Sequence, residues 1–187
     1  MIIKTILFTV VFILLGFYAW SQVKSAKSKS QVNENPYLGL RNQALSLKPA
    51  DLELKIPDNK EEAFGVVLEI GTGGGMVTIV SLVTGDASMY TSGNSGVIGG
   101  MAHAGVKNAA IAFVKTSQNY FHKMQIAKNL DTPKAGDIKI FILTNKHKYS
   151  YEAPENDITN EKSDWAELFY KGNDVITQLR LVSSKHP

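Results

Sequence analysis

The chain of 187 residues is long enough for one domain and short for two. It has no cysteine, which excludes disulfides, thiol chemistry, cysteine-ligated zinc and a lipidated-cysteine anchor. Lys4, Lys24, Lys27 and Lys29 against Glu34 alone account for the net charge of +3, so residues 36–187 are neutral overall and no nucleic-acid partner is expected.

Met1-Ile-Ile-Lys4 opens an uncharged, largely apolar run that ends near Trp20. Residues 1–20 read as a membrane anchor or a signal peptide. An anchor of about 16 to 19 apolar residues just crosses the hydrocarbon core, with Tyr18 and Trp20 at the interface. A signal peptide would be cut near Ser21-Gln22, after Ala19-Trp20-Ser21, and the rest exported. The uncleaved anchor is the preferred of the two. Residues 21–35 (SQVKSAKSKSQVNEN) have almost nothing to bury and read as a flexible polar linker. Residues 36–187 read as one globular domain.

Asn35-Pro36 marks a helix start, and Tyr37, Leu38, Leu40, Arg41, Ala44, Leu45 and Leu47 suggest a short amphipathic helix. Pro49-Ala-Asp-Leu52 adds a turn of helix. Residues 63–70 (AFGVVLEI) form an apolar central strand and residues 76–84 its hairpin partner. Gly85-Asp86 predicts a type II′ turn into a third strand at 87–92. After the loop Gly93–Gly100, the recurrence of Ala102, Val106, Ala109, Ala110, Phe113, Val114, Ser117, Tyr120 and Phe121 predicts a helix over about 101–124. Residues 137–144 and 147–153 form a second hairpin turning at Asn145-Lys146, and 154–160 a loop. A last helix from Glu161 carries Gly172-Asn173 as its weak point. Lys123, Lys128, Lys134, Lys139, Lys146 and Lys148 read as a solvated face.

This order gives an α+β fold: a single domain with about five strands, mostly antiparallel. A β-β-β-α-β-β-α core follows a short helix, and the helices lie on one face of the sheet. The mixture is similar in class to profilin-like and roadblock-like domains. Those place two strands before the middle helix and three after it, where this chain has three and two, and no function is carried over.

Of the 15 glycines, 11 fall between Gly65 and Gly105, which makes the loop before the 101–124 helix the first place to look for a site. Gly93, Asn94, Gly96, Gly99 and Gly100 are the candidate ligand-binding loop. It feeds a helix N-terminus, where backbone N–H groups suit an anion. The named phosphate motifs fail. Met76 takes the last glycine position of G-x-G-x-x-G in Gly71–Met76, and Lys107 comes one place late for a P-loop. Gly93-Asn-Ser95-Gly96 resembles the G-D-S-G around the serine of trypsin-like proteases. The match stops there, because the first histidine, His103, follows the serine. His103 falls on the inward line of its helix, and with Asp86, Ser92 and Ser95 it makes the candidate polar cluster. The histidines are dispersed, so no metal is expected, and nothing calls for a cofactor.

The expected function is a membrane-tethered, non-enzymatic binding or interaction domain. Its partners would be the membrane, through residues 1–20, and a protein or small anionic ligand. The alternative is a small hydrolase or transferase that uses loop 93–100 and His103 as base. A purely structural envelope component is a third reading.

Overall fold

The computed structural model describes residues 35–184, so the expected membrane segment and all of the expected linker but Asn35 lie outside the described residues. The chain organises itself around β1 (Ala63–Thr72), which pairs antiparallel with β2 (Gly75–Leu82) on one side and β6 (Asp137–Thr144) on the other. β3 (Ala87–Thr91), β4 (Gly96–Val97), β5 (Gln125–Ile126) and β7 (Lys148–Pro154) complete a seven-stranded antiparallel sheet of order β4-β3-β2-β1-β6-β7-β5. The two strands beyond the expected five, β4 and β5, are two-residue edges. So short a segment has no alternation for a sequence pattern to reveal.

The helices are α1 (Pro36–Ser46), α2 (Ala104–Ser117), α3 (Glu155–Thr159) and α4 (Ala166–Ser183). They do not all lie on one face, as the sequence suggests. Val106, Ala110 and Phe113 of α2 and Leu168, Val175 and Leu179 of α4 pack on Val66, Leu68, Ile79, Ile138 and Ile140. Tyr37, Ala44 and Leu45 of α1 pack instead on Phe64, Val67, Val80, Leu82, Phe141 and Leu143, a separate cluster. The physical reason is that β1, β2 and β6 are buried on both sides, so one helical layer cannot cover them. A register shift between Ala63 and Gly65 lets Phe64 and Val67 serve the same cluster.

Several boundaries move for local reasons. α2 ends at Ser117, short of residue 124, because the side chain of Gln118 turns back to β1. Its amide oxygen accepts from Ala63 N–H at 3.0 Å and its amide nitrogen donates to Ala63 C=O at 2.8 Å. The β2–β3 turn is not type II′. It closes with Gly85 N–H on Leu82 C=O at 2.9 Å and places Gly85, φ 91°, in the left-handed region. Residues 155–159 are helical rather than loop. α4 begins at Ala166, later than expected, and runs through Gly172 without a break. A Cβ at Gly172 would lie 2.6 Å from Leu68 Cδ2 and 3.1 Å from Phe113 Cζ, so this glycine serves close helix packing.

Lys139 departs from the solvated face expected of it. It is buried, donates to Asp131 C=O at 2.9 Å and pairs with Glu152 at 2.9 Å. At the β6–β7 turn, Glu61 accepts from Thr144 at 2.6 Å and Tyr149 at 3.1 Å, with His147 Nδ1 at 3.2 Å. Burial opposes the Glu61 charge, but these hydrogen bonds prevail and hold its carboxyl below the usual value. Among the described residues no helix is long and apolar enough to cross a membrane.

Candidate functional site

The α1 face of the sheet carries a polar row. The registers align Tyr90 with Thr78, Thr78 with Glu69, Glu69 with Lys139, and Lys139 with Glu152, so the row crosses from β3 to β7. Arg41 descends from α1 onto its centre. Arg41 Nε meets Glu69 Oε1 at 2.6 Å and Nη2 meets Oε2 at 2.8 Å, a two-pronged ion pair with Arg41 4% and Glu69 0% exposed. Thr78 Oγ1 donates to Glu69 Oε1 at 3.3 Å and shares a hydrogen bond of 2.9 Å with the Tyr37 hydroxyl. The row therefore fixes the position of α1 over the sheet.

Where α1 ends its cover, toward β3 and β4, a groove opens. It holds a cavity of about 280 Å³ between Leu40 and Gln43 of α1, Leu47 just beyond its end, and Leu82, Ser88 and Tyr90 of the sheet, and Asp86 lines it as well. A second hollow of about 230 Å³, lined by Tyr37, Asn94, Ser95 and Gly96, shares Leu40, Tyr90 and Ile98 with the first. Ile98, 64% exposed, stands at the rim of both. Two buried polar atoms here have no hydrogen-bond partner among the described residues: Asp86 Oδ1 and the Tyr90 hydroxyl. Burial, with the Glu69 carboxylate nearby, holds the Tyr90 phenol well above its ordinary value, so it remains a protonated donor.

The candidate residues divide between this groove and elsewhere. Asp86, Asn94, Ser95 and Gly96 line the groove or its extension. Ser95 Oγ shares a hydrogen bond of 2.9 Å with Thr91 Oγ1. Ser92 accepts from Met76 N–H at 3.0 Å and so ties β3 to the start of β2. Gly93 is exposed in the turn, and Gly99 takes a left-handed φ of 80° before the 3-10 turn Gly100–Ala102. Gly100 is buried, and a Cβ there would come within 2.9 Å of Leu179 Cδ2, so its part is packing.

His103 does not point inward. It is the N-cap of α2, with extended backbone (φ −101°, ψ 117°), because the helix starts three residues later than the sequence pattern suggests. Its side chain is exposed beside a different hollow, with Gln178 and Val182. No hydrogen bond among the described residues joins any two of Asp86, Ser92, Ser95 and His103 through their side chains. The glycine loop also does not feed α2 directly, since β4 and the 3-10 turn intervene. Among the described residues no group of three or more His, Cys, Asp or Glu is placed to hold a metal ion.

Neither the polar row nor the groove is among the sites that the sequence suggests. A signal for the row was present: Glu69, Thr78 and Lys139 each interrupt an otherwise apolar strand. The groove had no such signal, because it depends on which face α1 covers. No protein-family profile matches the chain, and neither a curated protein nor a solved structure shows significant similarity to it.

Proposed function

We propose that this protein is a membrane-tethered, non-enzymatic binding domain whose ligand seat is the groove between α1 and β2–β4. The observation that carries this reading is the pairing of an apolar hollow with two buried polar atoms, Asp86 Oδ1 and the Tyr90 hydroxyl, that lack partners among the described residues. Buried polar groups are nearly always hydrogen-bonded, so such atoms lining a hollow favour a ligand that completes them. The tether is proposed from the composition of residues 1–20 and 21–35. The alternative hydrolase or transferase would need an acid or nucleophile beside His103, and no side chain hydrogen-bonds to it among the described residues.

Two measurements test the two halves of the proposal. Deleting residues 1–20 is expected to move the protein from the membrane fraction to the soluble fraction; retention on the membrane would remove the tether. For the seat, Ser88→Trp places an indole in the groove. It is expected to abolish the stabilisation that a bound ligand gives, about 2.7 kcal/mol at a hundredfold excess over Kd. Ligand-induced stabilisation unaffected by Ser88→Trp would place the site elsewhere.

A further inference from the structure

We infer that the groove selects an apolar ligand that carries a positively charged amine, seated with the ammonium against Asp86. This rests on the groove being the ligand seat proposed above. Asp86 is the one charged side chain that lines either hollow among the described residues. Among the described residues its buried Oδ1 has no hydrogen-bond donor, and no ion pair joins Asp86 to a cation. Lys107 of α2 packs its stem against the neighbouring Gly85. Asp86 is half-buried, and its buried Oδ1 lacks a donor among the described residues, so an incoming ammonium supplies both a hydrogen bond and a counter-charge.

The rest of the groove defines the body of the ligand. Leu40, Leu47, Val80 and Leu82 present hydrocarbon, and a cavity of about 280 Å³ accommodates a short alkyl chain rather than a large ring system. Tyr90, 5% exposed, lines both hollows, and its unpartnered hydroxyl offers a second polar contact along the same wall. An anionic head group is disfavoured, because it would face the Asp86 carboxylate with no positive side chain among the described residues of the lining. This reverses the small anionic ligand expected from the glycine loop.

Three probes with one hydrocarbon body and different heads test the inference on the full chain: hexylammonium, hexanol and hexanoate, each titrated by calorimetry. Hexylammonium is expected to bind about tenfold more tightly than hexanol, as one charge-assisted hydrogen bond implies, and hexanoate most weakly. Asp86→Asn is expected to remove the preference for the amine while leaving hexanol within about twofold of its wild-type affinity. The wild-type ranking needs no variant, so a poorly folding Asp86→Asn does not spare the inference. Hexanol or hexanoate binding as tightly as the amine would overturn the inference and leave the groove as a binding seat. Binding of none of the three would overturn both.

Discussion

Arg41→Met is expected to destabilise the domain by about 3–5 kcal/mol, the cost of leaving one member of a buried ion pair alone. The reason lies in what remains. Glu69 is fully buried, and with Arg41 gone it keeps, among the described residues, only the Thr78 hydroxyl at 3.3 Å. Its cross-strand neighbour Lys139 is already engaged by Glu152 and Asp131. The loss should appear as a fall in melting temperature of roughly 10 °C. The double variant Arg41→Met with Glu69→Leu is expected to recover most of it, because both charges then leave the interior together. The Thr78 hydroxyl loses Glu69 as its acceptor in the double variant but keeps the Tyr37 hydroxyl as a partner. A single variant within about 1 kcal/mol of wild type would mean that α1 is held by its apolar contacts alone.

Phe113→Ala is expected to cost about 3–5 kcal/mol by opening a cavity under α4. Phe113 is fully buried between the sheet and the two long helices. The position of Gly172 makes this prediction sharper. In wild type, Gly172→Ala sets a methyl group 2.6 Å from Leu68 Cδ2 and 3.1 Å from Phe113 Cζ. That overpacking, about 1–3 kcal/mol, outweighs the gain of about 1 kcal/mol that alanine brings to a helix interior. With the ring removed, Leu68 gains room to move and the same methyl group refills part of the void. Gly172→Ala should therefore destabilise the wild type and stabilise Phe113→Ala. Chemical denaturation of the four proteins gives the coupling directly, and additive effects would contradict the packing described here.

What was legible in the sequence follows from how local each signal is. The central strands declare themselves as apolar runs, and Ala63 and Asp137 begin them as the pattern suggests. Asn35-Pro36 marks the start of α1 through cap chemistry. Placing α1 on the opposite face from α2 and α4 was not legible, because its buried stripe is Tyr37, Arg41, Ala44 and Leu45, and an arginine in that stripe reads as a wet residue until Glu69 is found beneath it. His103 was misplaced by the start of one helix. Once Gly100–Ala102 form a 3-10 turn, residue 103 becomes a cap and its side chain leaves the core line. The sequence suggests Asp86 as a partner of His103. The structure gives it a different surrounding, the apolar groove under α1.

The central claim is that binding at this groove, and not chemistry at His103, is what the domain does. The measurement that tests it most directly is the melting temperature of the wild type, Ser88→Trp and His103→Gln, each with and without saturating hexylammonium. The amine is expected to raise the melting temperature of the wild type and of His103→Gln equally, and to leave Ser88→Trp unchanged. A shift that survives in Ser88→Trp and disappears in His103→Gln would contradict the account.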